Sequence, residues 1–242
     1  MKKIKNIFMA CFMVALIITM FYGNYITQIK EMESITVTKA AIVNKRIILS
    51  KAFIENMTML SEDYLNHEDI HDSALLGHLD YNSLNDSFNL DVLGSYKYFN
   101  VGNLTGIGEI PKEGKYRDEI NMALEFNKYF RNFYNILPDI AWIYYTSEHN
   151  FINMYPWVSS RVFKFSEELK NVEFYSIALP ENNPDRKILW TPVYTDHAGK
   201  GLMVTLSSPV YFKDEFRGVI SIDLTTKILS KLINSNYDTY II

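Results

Sequence analysis

From Ile7 to Tyr22 the chain offers one clearly polar side chain, Thr19, and this apolar run stands directly behind Met-Lys-Lys-Ile-Lys-Asn. A helix rises about 1.5 Å per residue, so the run, extended by Tyr25 and Ile26, approaches the roughly 30 Å of a bilayer's hydrocarbon layer. Lys2, Lys3 and Lys5 precede it, and the next basic residue is Lys30. Because an excess of positive charge stays in the cytoplasm, residues 1–6 are expected inside and the bulk of the chain outside, as a single-pass protein of the cell inner membrane. A cleaved signal peptide has the same basic start and apolar middle, but it needs a small-x-small site. Here the run ends Thr-Met-Phe-Tyr-Gly-Asn-Tyr. Residues 7–26 are therefore expected to be an uncleaved transmembrane anchor.

Cys11, the single cysteine, falls inside that run, so the exported part has no thiol, disulfide framework or cysteine metal site. Its stability must come from a core, and with 48% hydrophobic and 14% aromatic residues the material is present. A net charge of -4 gives no basic footprint for nucleic acid.

Between Gly23 and Gly77 there is neither glycine nor proline, and Ile42, Leu49, Phe53, Met57, Leu60 and Tyr64 recur at steps built from threes and fours. The spacing predicts one long helix over 27–76, either a signalling element able to carry a rigid-body displacement and pair into a homodimer, or a plain stalk. Residues from about 78 to 114, rich in Asn, Asp, Ser and Gly, read as loop with short extended pieces. A second helix is expected from Tyr116 to Leu137, with Ile120, Phe126, Phe130 and Phe133 on its buried stripe and Pro138 ending it.

After Pro138 the period becomes extended. Asp139 to Tyr145 and Phe151 to Trp157 read as a hairpin, and a helical segment over Val162 to Lys170 follows. Then come three strands, Ile188 to Tyr194, Leu202 to Phe212 and Phe216 to Leu224, and a closing helix pattern from Thr225 to Ile233. The fold class expected is α+β: an anchor and stalk helix, then a five-stranded antiparallel sheet flanked by helices over 77–233.

On the last strand Val219, Ser221 and Asp223 share one face and Ile220, Ile222 and Leu224 the other; on its neighbour Thr205, Ser207 and Tyr211 oppose Leu202, Val204 and Leu206. One face is greasy, and the other mixes apolar groups with hydroxyls and a carboxylate. Covered by loops it becomes a pocket; uncovered it is a solvent-facing side.

Trp190-Thr-Pro-Val-Tyr-Thr-Asp196, Gly199-Lys-Gly-Leu-Met-Val-Thr205, Ser208-Pro-Val-Tyr211 and Phe216-Arg-Gly-Val-Ile-Ser-Ile-Asp-Leu224, with Tyr155-Pro-Trp157 upstream, carry a resemblance. Together with the order of elements, they make the chain resemble the membrane-distal half of a double Cache domain. That is the PAS-like extracytoplasmic sensor of chemoreceptors, sensor kinases and diguanylate cyclases. The resemblance implies a small-molecule sensing module, without enzymatic activity or cofactor of its own. It also implies that Tyr237 to Ile242 begin a membrane-proximal half, 234–242, whose remainder and output module lie beyond this chain.

In amino-acid-binding members of that family an Arg-x-Trp-Tyr segment holds the ligand's carboxylate, while a tyrosine and an aspartate of the meander hold its ammonium. Carried over by position, these fall on Val172-Glu-Phe-Tyr175, Tyr194 and Asp223. The arginine is missing, so a bidentate clamp for a carboxylate is not expected. A carboxylate among Tyr175, Tyr194, Trp157 and Trp190 suits an ammonium group, so an amine-bearing ligand is expected. Asp196, in the turn after Tyr194, reads as a ligand contact or a structural turn aspartate.

One motif points elsewhere. His67-Glu-Asp-Ile-His71 matches H-E-x-x-H, in which two histidines one helical turn apart bind zinc and the glutamate acts as base. A membrane-anchored metallohydrolase using His67, Glu68 and His71 is the alternative, although the motif lies at a charged helix end beside Glu62, Asp63, Asp69 and Asp72.

Overall fold

The computed structural model describes residues 2–67, 70–93, 100–137, 140–227 and 230. The start of a membrane-proximal half at 234–242, Pro138 and most of the closing helix pattern lie outside them. The chain forms two units, residues 1–45 with 232–242, and residues 46–231.

Helix α1 runs from Lys2 to Asn66. Within the first unit it contains a stretch long and apolar enough to cross a membrane, and those side chains are exposed. In the second unit it turns a stripe inward, where Ile54, Met57 and Leu65 are buried and Phe53 stacks on Phe133 with ring centroids 4.0 Å apart. Such burial is worth roughly 1.5–3 kcal/mol for each large apolar side chain. Thr58 Oγ1 donates to Ser208 Oγ at 3.0 Å, tying the helix to the sheet.

The helix stops ten residues earlier than its spacing predicts, because the segment that follows has a different partner. The Asp72 carboxylate takes the Arg117 guanidinium in both branches, at 2.9 and 2.5 Å, and Ser73 N donates to Asn121 Oδ1 at 2.9 Å. Helix α2, Lys115–Ile136, carries both partners. A charge-assisted fork of this kind fixes direction as well as distance, and it draws the chain away from the line of α1. Leu137, before Pro138, has already left the helical region at φ -126° and ψ 75°.

Among the described residues the sheet has nine strands rather than the five expected. They are β1 (Asp80–Asn82), β2 (Ser87–Asn89), β3 (Asn103–Ile107), β4 (Trp142–Ser147), β5 (Phe151–Tyr155), β6 (Leu189–Trp190), β7 (Tyr194–Thr195), β8 (Leu202–Phe212) and β9 (Glu215–Thr225). Their order is β1-β2-β3-β5-β4-β9-β8-β6, with β7 also on β8, and every pairing is antiparallel. The segment read as loop with short extended pieces supplies three of the extra strands, its extended pieces being β1, β2 and β3. The single strand expected over Ile188 to Tyr194 is split in two around Pro192, which cannot donate to a ladder. The helix expected over Val162 to Lys170 is instead irregular chain, then a 3-10 turn over Glu167–Asn171 and a short helix α3, Glu173–Ser176.

Both faces of the sheet are covered. The face with Ile143, Tyr145, Ile220 and Ile222 packs with the side chains of α1 and α2 in one core. The face with Trp142, Tyr144, Met203 and Val219 packs under the segment from Val158 to Leu179, through Phe165, Leu169, Phe174 and Tyr175. A register shift between Val210 and Tyr211, opposite Gly218, reverses the alternation at the far end of β9. Arg217 therefore reaches the α2 side, where its guanidinium bonds Glu119, which also accepts from Tyr145 and Ser147. Glu119 is fully buried, and donors on both of its carboxylate oxygens offset the cost of burying the pair.

Candidate functional site

Strand pairing puts Trp142 opposite Asp223 on one side and Thr205 opposite Asp223 on the other. With a period of two, Trp142, Tyr144, Thr205 and Asp223 then share the face beneath the 158–179 segment. The carboxylate of Asp223 is 2% exposed. Its Oδ1 accepts from Tyr144 Oη at 2.9 Å and from Thr205 Oγ1 at 2.6 Å, and Tyr194 Oη lies 2.7 Å from Thr205 Oγ1. Both bonds fall on Oδ1, and Oδ2 has none among the described residues.

A small cavity of about 20 Å³ opens beside this carboxylate, room for about one water with the side chains as they stand. Its walls are chiefly apolar and aromatic, with Trp142, Tyr144, Met154, Phe163, Phe174 and Tyr194 among them, and Asp223 and Asp196 supply its carboxylates. Arginine is absent from its lining. Val172, where the resemblance places the arginine of a carboxylate clamp, is buried among Phe165, Leu169 and Phe174.

Burial pushes the Asp223 carboxyl up to about 7; hydrogen bonds from Thr205 and Tyr144 hold it down, Asp196 adds to the rise and Lys200 opposes it. The hydroxyls of Tyr144 and Tyr194 are driven well above the usual phenol range, by burial first and then by Asp223, so both remain protonated donors.

The turn between β7 and β8 closes one side. Asp196 accepts from Ala198 N at 2.9 Å, from Lys200 N at 2.7 Å and from Trp142 Nε1 at 3.2 Å. Lys200 Nζ donates to Ala141 O at 2.6 Å and sits 3.5 Å from the centre of the Trp142 ring. Gly199 and Gly201 both have φ above 90°, which lets the turn fold back tightly. Asp196 is therefore both a turn aspartate and a wall of the cavity. Burial lowers the Lys200 ammonium, against the pull of Asp196 and Asp223.

Of the residues singled out in the sequence, the structure brings Asp223, Tyr194 and Asp196 together here. It does not bring Tyr175, Trp190 or Trp157 into this cavity. Tyr175 points its hydroxyl at Glu148 Oε2, 2.5 Å away, and its ring meets Phe216. Its neighbour Phe174 takes the wall position, because consecutive residues of a short helix diverge. Trp190 lies on edge strand β6 and is 37% exposed. Trp157 follows the cis Tyr155–Pro156 bond, and its indole nitrogen is buried without a partner. Sequence reasoning missed Trp142, Tyr144, Thr205 as a carboxylate donor, and Lys200. The alternation Trp142-Ile-Tyr144 was available as a signal, but its face could be assigned only once β4 was known to lie beside β9.

The H-E-x-x-H alternative fails on local structure. Helix α1 ends at Asn66, and neither His67 nor His71 is helical, so the pair is not presented on one face of a helix. Glu68 lies outside the described residues. His67 Nε2 is 3.8 Å from Asp63 Oδ2, and Asp72 is occupied by Arg117.

The amino-acid sequence matches none of the curated proteins. Among solved structures, the chain is similar to the sensory domain of the Campylobacter jejuni chemoreceptor Tlp3 with isoleucine bound, at 16% identity and a TM-score of 0.48 over 86% of this chain. It spans 64% of the length of that domain. It is also similar to the ligand-binding domain of the Pseudomonas aeruginosa amino acid chemoreceptor PctC in complex with GABA, at 20% identity and a TM-score of 0.37 over 50% of this chain and 53% of that one. A family model described as methyl-accepting chemotaxis protein-like, first PDC sensor domain, matches residues 114–231. That match takes in β4, β5, β8, β9 and the Asp223 cavity, so this part of the chain is similar to a sensor domain of that kind.

Proposed function

We propose that this protein is the sensing part of a membrane-anchored signal-transduction receptor, and that the cavity beside Asp223 takes a small primary amine with an apolar body and no carboxylate. The anchor is the apolar run of α1, with Lys2, Lys3 and Lys5 holding the N-terminus in the cytoplasm and the sheet on the outer side of the inner membrane. Pairing of two copies through α1 belongs to the same proposal, as does a division at residue 77 between stalk and sensor.

The observation that carries the ligand class is the charge pattern of the cavity. Two carboxylates and His197 stand among aromatic rings, and a nearby cation, Lys200, is engaged by Ala141 O and the Trp142 ring. An ammonium group gains a charge-assisted hydrogen bond from Asp223 Oδ2 and cation–π attraction from Tyr144 and Tyr194. An α-carboxylate would meet Asp223 and Asp196 with no free guanidinium to offset them. A ligand acts as a signal only if it binds one conformation of the domain better than another.

The test is calorimetric titration of the full chain in detergent with 2-phenylethylamine, isopentylamine and tyramine, beside L-phenylalanine and L-leucine. At least one amine should bind at least tenfold more tightly than the matching amino acid, and Asp223→Asn should abolish that binding while the variant still melts cooperatively. Tighter binding of the amino acids would refute the proposed ligand class.

A further inference from the structure

The segment that roofs the Asp223 cavity has a second hollow on its other side. Phe163 lines the first cavity, whereas Arg161, Lys164 and Ser166 face a groove between this segment and the β1–β2 hairpin. Phe165 N donates to Thr105 Oγ1 of β3 at 2.8 Å, which pins the segment to the sheet and keeps the two hollows apart. The groove offers about 620 Å³ of space, and its walls mix polar and apolar groups in near-equal share.

The side chains of that wall differ in what they have left to offer. Asn82 Oδ1 accepts from Leu84 N, Asn85 Oδ1 from Ser87 Oγ and Asn89 Oδ1 from Asp91 N. All three amides spend their acceptor on the hairpin, and no hydrogen bond uses their Nδ2 donors among the described residues. Asp91 is consumed as well, since its carboxylate takes Asn103 Nδ2 at 2.8 Å, Ser160 N at 2.9 Å and Ser160 Oγ at 2.6 Å. The side chains of Arg161 and Lys164 form no ion pair or hydrogen bond among the described residues, although Arg161 N donates to Ser159 Oγ at 3.3 Å. The uncommitted groups are thus three amide donors, a guanidinium and an ammonium, against the single carboxylate of Asp80.

We infer that this groove is a second ligand site, for an organic anion that carries a carboxylate together with hydroxyl groups. The carboxylate meets Arg161 and Lys164, for which charge-assisted bonds are the strong ones. The hydroxyls accept from Asn82, Asn85 and Asn89 and donate to Asp80. A hydroxy-polycarboxylate and a sugar acid share this chemistry. The site rests on the groove alone and is independent of the amine proposal, since it shares no lining residue with the Asp223 cavity.

The experiment is calorimetric titration of the full chain in detergent with citrate, with galacturonate and with neutral galactose, at constant ionic strength set with sodium chloride. At least one of the two anions should bind, and which one does distinguishes a polycarboxylate from a sugar acid. Galactose should bind at least tenfold more weakly. The double variant Arg161→Gln, Lys164→Gln alters two exposed side chains, should melt like the parent, and should weaken the anion at least tenfold. Asp223→Asn should leave anion binding in place. No heat with either anion, an anion affinity unchanged in the double variant, galactose binding as tightly as the anions, or loss of anion binding in Asp223→Asn would each overturn the assignment.

Discussion

At the scale of single residues, Asp223 and Glu119 are both buried carboxylates, and they are stabilised in opposite ways. Glu119 has Arg217, Tyr145 and Ser147 around it. Removing it by Glu119→Ala leaves a buried guanidinium short of its partner and should cost about 3–5 kcal/mol in urea denaturation. Asp223 has two hydroxyl donors and no cation bonded to it, and its carboxyl sits near 7 against an ordinary value of 3.8. A carboxyl raised in the folded state holds its proton between those two values, so its contribution to stability is present at low pH and is lost as pH climbs through about 7. The span corresponds to about 4 kcal/mol at about 1.4 kcal/mol per unit, as an upper figure. Asp223→Asn keeps an acceptor for Tyr144 and Thr205 but has no charge to bury. It should raise the melting temperature at pH 8 by an amount equivalent to about 1–3 kcal/mol and have little effect at pH 3.5, below the ordinary carboxyl value. An aspartate kept for structure alone would show a loss at both pH values, and thermal melts at the two distinguish them.

Among the elements, the bulge opposite Gly218 sends Arg217 toward α2 while Val219, Ser221 and Asp223 stay under the roof segment. A Cβ at Gly218 would stand 2.2 Å from Thr146 O of β4, a backbone atom that cannot move aside without opening the ladder. Gly218→Ala should therefore destabilise the domain by at least about 2 kcal/mol, read from the urea midpoint. The latch of the β7–β8 turn is milder. Lys200→Ala removes the bond to Ala141 O and the contact over Trp142, and should speed dissociation of a bound amine in stopped-flow with a loss of about 1 kcal/mol in stability. These elements also mark what was legible in advance. The ladder of β8 and β9 follows from the alternation that runs from Val219 to Leu224, clear of the register shift beside Gly218, and α2 follows from its phenylalanine stripe. The strands β1, β2 and β3 were legible only as short extended pieces within a loop, because Asn82 and Asn89, which end β1 and β2, accept from the backbone two residues on in Asx turns that look like plain loop. The end of α1 was hidden for a related reason: Asp72 and Arg117 are 45 residues apart, and no local spacing announces their pairing. In the candidate site, Asp223 and Tyr194 were legible from alternation and resemblance, whereas Trp142 and Tyr144 depended on β4 lying next to β9.

Taken as a whole molecule, the chain joins a membrane-compatible helix to a sheet whose one buried carboxylate lacks a cation, inside a segment that matches a sensor-domain family. A cationic ligand supplies what that carboxylate lacks, and the linkage between proton and ligand follows. Only the ionised form of Asp223 pairs with an ammonium, so apparent affinity should fall about tenfold for each pH unit below 7. The most direct measurement is titration of the full chain with 2-phenylethylamine at pH 6, in two buffers of different ionisation enthalpy. The account predicts that binding releases close to one proton in the parent and that Asp223→Asn gives neither binding nor release. Binding without proton release, or binding that survives in Asp223→Asn, would contradict it.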